Sequence, residues 1–465
     1  MKKILAVLLS VSMVVGLLTG CGGGDSSTKE TKGQTDAPKA TQAPAGETQA
    51  PDETDAKDDG NTDSGDKVVI NYYDWDASAS NVVDRFNASQ DKIEVVFTQI
   101  PDNMDKISKL DVLAMGGGEI DVFPISDGDQ FTRMQNGMFA PIDEYIAAEG
   151  LNLEESFGEM AKWCEWDGVT YGFPLRASVG GVFYNKNVFD EAGIEYPTGD
   201  WTWDEYKDLA AKLTKGEGTD KLYGTFNHIW AGEWSHAATQ VTPFYKEDGT
   251  SNVGDEMFVK ILEDRMALDE AGVQPSYTEI QATQAMPNSF FLGGKCAMVI
   301  CGAWLIRDMK DTTNFPHDFE IGFTYFPRTT ADVASNKNLF MSATMIGIAA
   351  TSKHPAESYE FIKYLVTEGA KDIAAGGNYP CYKLAFDDDV INAFIEGSGL
   401  SFEDGAQLFA EDVALHSTKP LGPGAAAYMD TLGDEQSLYF TGAQDAQTTM
   451  DNVANAMNEE IESLK

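Results

Sequence analysis

The sequence predicts an α/β fold arranged in two lobes, and three observations predict it. From Lys67 onward, β-rich runs alternate with stretches of helical apolar spacing, the pattern of strands joined by crossing helices. Apolar residues make up 42% of the chain and aromatic residues 11%, ordinary content for a body with a packed core. The part with this character, Lys67 to Lys465, is about 400 residues long. That is more than a single core usually takes, so two lobes are expected.

Before Lys67 the chain is of another kind. Lys2 and Lys3 precede an apolar run from Ile4 to Leu18, too short for a comfortable bilayer span and in the charged-then-apolar order of an export signal. The run ends in Leu18-Thr19-Gly20-Cys21, which resembles a bacterial lipobox. That resemblance implies removal of residues 1–20 as a signal peptide and a diacylglycerol on the thiol of Cys21. Residues 21–66 are mostly Gly, Ser, Thr, Gln, Ala, Pro and acid, with no aromatic residue. Such a segment has too little to bury to offset its ordering entropy and reads as a lipid-anchored, disordered acidic linker. Its aspartate-rich end does not keep the positions of a calcium loop, since Lys57 takes the third loop position in the frame that starts at Asp55. No other segment has an apolar run long enough to span a bilayer.

The formal net charge of −42 would repel a polyanion such as nucleic acid, so a neutral or cationic partner is favoured. Cys164, Cys296, Cys301 and Cys381 lack the close spacing of a zinc or redox site and read as buried thiols. The five histidines show no paired spacing, so neither a metal nor a cofactor is expected.

Taken in order, "KVVINYYDW" reads as a strand, "NVVDRFNAS" as a helix burying Val82, Val83 and Phe86, and "KIEVVFTQI" as a strand again. A second helix with Ile107, Leu110, Leu113 and Ala114 on one face stops at three glycines, and "IDVFPI" gives a third strand of a mostly parallel sheet. Ligands of such sheets settle beyond the carboxyl ends of the strands. The loops there hold Asp74-Trp75-Asp76, Ile100 to Asn103, and Ser126 to Asp129. An indole between carboxylates suits a polyhydroxylated ligand, because sugar C–H faces pack on the ring while hydroxyls donate to acids. Trp75 and Asp76 are therefore site candidates. Further on, Thr202-Trp203-Asp204-Glu205 is a capping box with Trp201 and Tyr206 at the staple positions, so Trp201 and Trp203 read as structural.

"FYNKNVFDEAGIEYPTGDWTWDEY" resembles the signature of family 1 extracellular solute-binding proteins, the carbohydrate-oriented receptors of bacterial ABC importers, a group related to maltose-binding protein. "MGGGEIDVFPI", "MQNGMFAPIDEY", "FFLGGKCAMVICGAW" and "TMIGIAATSKHPAESYEFIKYLVTEGA" resemble its further blocks, in order. The resemblance implies a two-lobed periplasmic-binding-protein (Venus flytrap) fold, class II-like, with hinge crossovers near Ser178 to Gly181, near Asn338 and after Leu384. The implied bounds are residues 67–178 and 338–384 for one lobe and 179–337 and 385–465 for the other. Gly180-Gly181 would permit unusual backbone angles at a crossing.

The same resemblance implies ligand contacts residue by residue. Trp304 in "CGAW" matches a position whose indole stacks on sugar. Asp127 falls where a carboxylate meets sugar hydroxyls, with Asp129 as the alternative. Ser178 stands where maltose-binding protein has a carboxylate, a departure that argues against maltodextrin. Trp230, Glu233 and Trp234 fall in the stretch of second-lobe contacts, one of the two indoles being core, and Tyr379 lies where a loop returns to the cleft. The expected protein is a binding receptor without enzymatic activity, monomeric, tethered through Cys21 to the outer face of a Gram-positive type cell membrane. It would capture a mono- or oligosaccharide and deliver it to the permease subunits of an ABC transporter. Two alternatives stay open: a surface-anchored glycoside hydrolase, and the same fold binding a cationic peptide or polyamine.

Overall fold

The computed structural model describes residues 67–101, 106–126, 130–232 and 234–465. Cys21 with the linker, and the site candidates Asp127 and Glu233, lie outside the described residues.

Strands β1 (Val68–Asp74), β2 (Ile93–Gln99) and β3 (Val122–Ile125) alternate with helices α1 (Ala79–Ser89) and α2 (Lys106–Met115). β1 pairs in parallel with β2 from Val68↔Ile93 to Asp74↔Gln99, and with β3 at Tyr72↔Val122. Alternation along β1 buries Ile70, Tyr72 and Asp74. The expected face of α1, Val82, Val83 and Phe86, is buried, and so are Leu110 and Ala114 of α2.

The remaining strands are the short hairpin β4 (Glu165–Trp166) and β5 (Val169–Thr170), then β6 (Gly172–Asn185), β7 (Met298–Gly302), β8 (Ile321–Thr324), β9 (Asn338–Ile348), β10 (Tyr379–Pro380) and β11 (Ala414–Ser417). β6 is the organising element. Its first part pairs antiparallel with β9 and β10, and from Gly180 to Asn185 it pairs with β7 and β8. One sheet thus results, in the order β10-β6-β9-β3-β1-β2, with β7 and β8 on β6 and β11 on β9. It is mixed rather than mostly parallel. β6 and β9 run side by side in opposite directions and so pair antiparallel.

The glycine pair at the crossing serves close approach, not unusual angles. Both residues lie in regular β6 strand and neither has a positive φ. A side chain at Gly180 would collide with the Phe340 ring and the Cys301 carbonyl, and one at Gly181 with the carbonyl of Thr324. Strands from three directions can meet here only over bare backbone.

The helix Trp203–Leu213 begins with the expected capping box, Thr202 and Glu205 each accepting from the other's backbone N–H. The staple rings Trp201 and Tyr206 pack edge-on at 5.7 Å, and the Trp201 indole donates to the Tyr325 carbonyl at 2.9 Å. Tyr428 and Leu432 of the helix Ala425–Phe440, with Met450, Val453 and Met457 of the helix Ala446–Ser463, complete this core. Cys164, Cys296, Cys301 and Cys381 are all buried and none of them is in a disulfide, as their spacing led us to expect. Burial pushes the Cys164 and Cys296 thiols well up.

Candidate functional site

A cavity of about 40 Å³ opens where β6 changes partners, with Trp230 and Trp304 among its lining residues and Ser178 of β6 on its wall. Trp304 stands two residues past the end of β7 and is the N-cap of the short helix Leu305–Lys310. Gly302 lets this happen, because a side chain there would strike both the Ser178 hydroxyl and the Trp304 indole. Trp230 is 38% exposed and meets Trp304 edge-to-face, with ring centroids 6.2 Å apart at 68°. An exposed tryptophan standing across from a second indole is a surface on which a flat apolar face can settle.

His228 holds Trp230 in that position. Its Nδ1 accepts the Trp230 backbone N–H at 3.1 Å, and the two rings lie 3.8 Å apart. Burial, aided by the charge of Arg265 and opposed by a hydrogen bond to the Ala285 backbone, lowers the pKa of His228 to about 4. The ring is therefore neutral near pH 7, which its accepting role requires.

Deeper in, the lining passes to Trp203, Ile261, Arg265 and Phe326. Trp203 is stacked between Tyr206 at 4.8 Å and Phe326 at 5.5 Å, and its indole nitrogen is buried without a partner. Arg265 is committed to Asp269 and to the Asn227 carbonyl at 2.9 Å, while the Asn227 amide donates to Gln274 at 2.6 Å. Among the described residues no carboxylate lines this cavity, and no group of His, Cys, Asp and Glu could hold a metal ion.

Of the sequence candidates, Ser178, Trp230, Trp234 and Trp304 come together around this cavity. Trp234 is the core member of its pair: it is buried and its indole donates to Gln436 at 3.2 Å. The first-lobe candidates are packed elsewhere. Trp75 is buried, with the Lys106 ammonium 4.5 Å and the Arg176 guanidinium 4.9 Å from its ring centre. Asp76 accepts from the backbone and hydroxyl of Ser78 and from Asn378 at 2.6 Å. Burial opposes its ionisation, but Arg176 and the Ser78 hydrogen bonds still hold its carboxyl below the usual range. Arg176 itself grips Asp74 through two bonds of 2.9 and 2.8 Å. Tyr379 is buried against Phe409, with ring centroids 4.7 Å apart, and belongs to an aromatic core cluster with Phe386 and Phe394.

Sequence reasoning missed Asn227, His228, Arg265 and Trp203. "NHIW" placed His228 two residues before Trp230, and that spacing was the available signal. Trp203 was read as purely structural because its capping box explained it, yet it is among the residues that line the cavity.

Residues 61–372 match the model of the bacterial extracellular solute-binding protein family. The multiple sugar-binding protein of Streptococcus mutans is 25% identical over 328 residues, which is 66% of this chain and 72% of that one. The sn-glycerol-3-phosphate-binding periplasmic protein UgpB of Escherichia coli K12 is 20% identical over 390 residues, 82% of this chain and 88% of the relative. Among solved structures, an ABC substrate-binding protein from Listeria monocytogenes in complex with cycloalternan aligns with a TM-score of 0.69 at 21% identity, covering 85% of this chain and all of that one. The GacH receptor of Streptomyces glaucescens, solved unliganded and with acarbose, aligns at 0.67 and 18%, covering 86% of this chain. These likenesses carry the two-lobed fold, and with the family match over most of the chain, from the first strand through the crossing strands, the protein belongs to the bacterial extracellular solute-binding proteins.

Proposed function

We propose that this protein is the substrate-binding lipoprotein of an ABC importer, which takes a mono- or oligosaccharide between its lobes and hands it to a membrane permease. The observation that carries the reading is the Trp230–Trp304 pair, two indoles facing one opening beside the Ser178 hydroxyl. Aromatic faces with a few polar groups are what a sugar ring needs, C–H on the ring and hydroxyls at the edge. The relatives point the same way: one is named for sugars, one neighbour holds cycloalternan and another acarbose. Ser178, Trp230, Trp234 and Trp304 are the proposed contacts, with Asp127 and Glu233 as further candidates. The lobes are proposed to divide near 178, 338 and 384, supported by the partner change along β6 and by β9 beginning at Asn338.

Cys21 is the proposed lipid anchor on the outer face of the cell membrane. Lipidation supplies a tether where no second membrane retains a receptor. Two other readings have less support. A polyamine or cationic peptide wants carboxylates beside the aromatics, and the described lining offers none. A glycosidase wants a carboxyl pair across a bond, and the buried acid Asp74 is locked to Arg176.

A thermal-unfolding panel of the purified protein against mono- and oligosaccharides, with amino acids, peptides and polyamines as controls, tests the reading. A ligand at 100 times its Kd adds about 2.7 kcal/mol of stability, well within what a melt resolves. A shift with one sugar class is expected. A shift with polyamines alone, or with no sugar, would overturn it.

A further inference from the structure

We propose that Asn227 is a specificity-determining residue of the cavity: its side-chain oxygen is a preset acceptor that takes the hydrogen of one inward-pointing sugar hydroxyl. This deepens the carbohydrate-receptor reading above and rests on it.

The orientation of the amide is dictated from the buried side. Asp269, paired with Arg265, has a carboxylate that can only accept. Gln274 therefore turns its amide nitrogen to it, at 2.6 Å, and its oxygen away. That oxygen can in turn only accept, so Asn227 meets it with Nδ2, again at 2.6 Å. The Tyr206 hydroxyl, 3.5 Å away, is the second acceptor of Nδ2. The two ends of an amide have the same shape, and this series of partners tells them apart.

Oδ1 is left with no donor among the described residues. Asn227 lines the cavity and keeps 8% of its surface open, and its oxygen is not closed in as the Trp203 indole nitrogen is. Flipping the amide to offer Nδ2 to a ligand would set its oxygen against that of Gln274, so only an acceptor is on offer.

The acceptor is also held in place. The Asn227 carbonyl accepts from Arg265 at 2.9 Å, and Asp269 is fixed further by the Tyr277 backbone N–H at 2.8 Å. Asn227 stands three residues before Trp230, so the turn that presents the indole presents the acceptor too. A ligand group with a hydrogen to give satisfies Oδ1. An ether oxygen, a carbonyl or a fluorine leaves it unpaired once water is displaced.

Calorimetric titration of the purified protein tests this, with glucose, galactose, mannose, xylose and their α- and β-1,4-linked disaccharides, and then with the monodeoxyfluoro analogues of the tightest binder. Fluorine keeps the size of a hydroxyl and removes its hydrogen. One analogue is expected to bind at least about tenfold more weakly than its parent. Asn227→Leu should weaken the parent and leave that analogue nearly unchanged, so that the preference falls about tenfold; Asn227→Ala serves if Asn227→Leu does not fold. Gln274→Leu, which frees the amide to turn, should reduce the same preference although residue 274 touches no ligand. Equal binding of every analogue, or a preference undiminished in the Asn227 variant, would overturn the preset acceptor and leave the receptor reading standing. Absence of binding by any carbohydrate would overturn both.

Discussion

At Trp230 an indole stands 38% exposed, and His228 keeps it there by accepting its backbone N–H and lying against its ring. That arrangement needs a neutral imidazole. Burial, the largest cause, holds both His228 and His416 at a pKa of about 4, against an ordinary 6.5. As pH falls from about 6.5 to 4 the unfolded chain takes up two protons that the folded one refuses, so stability drops through this window and flattens below it. The loss is at most about 3 kcal/mol per histidine. Melts between pH 7 and pH 4.5 should show it, and the double variant His228→Phe, His416→Phe should have a shallower profile; identical pH profiles would contradict it. Trp304, Trp230 and Ser178 were legible as residue types in family blocks. What sequence could not give was partnership: that Asp74 and Asp76 would be consumed by Arg176, Ser78 and Asn378, or that Lys106 and Arg176 would cover Trp75. Arg176 and Asn378 come from distant parts of the chain, and loop acids look alike until they are folded.

The elements were easier to read than the contacts. Strands and helices of the first 60 or so folded residues follow from alternation, and the capping box of Trp203–Leu213 formed as its spacing dictates, because each rests on neighbours in sequence. Sheet direction did not follow, since the antiparallel pairing of β6 with β9 joins residues more than 150 positions apart. The crossing is also where a side chain can least be added. Gly180→Ala would press a methyl against backbone of Cys301 and Gly302, which cannot move as a rotamer can. It should cost about 1–3 kcal/mol. Gly433, inside the helix Ala425–Phe440 with open space around it, should instead gain about 0.5–1 kcal/mol as alanine. Denaturant midpoints for the two variants should move in opposite directions, and a neutral Gly180→Ala would remove the close-approach account of the hinge.

On the scale of the whole molecule, the change of partners along β6 is the proposed joint between the lobes, and the cavity lies beside it. A ligand that touches residues on both sides of such a joint favours the closed arrangement by binding it better. The two lobes were legible from length, while the cavity was not, because its walls come from β6, β7, the Trp230 turn and the helix Trp203–Leu213 at once. A net charge of −42 would dominate recognition of any cation, yet the described cavity lining has no carboxylate, so its binding should be indifferent to salt. The most direct test is calorimetric titration with the carbohydrate class found in the melts, at low and high ionic strength, for the native protein and for Trp230→Ala, Trp304→Ala. The native protein should bind with the same affinity at both salts, and the double variant should lose binding while still melting cooperatively. Binding that survives in the double variant, or that fades as salt rises, would contradict the account.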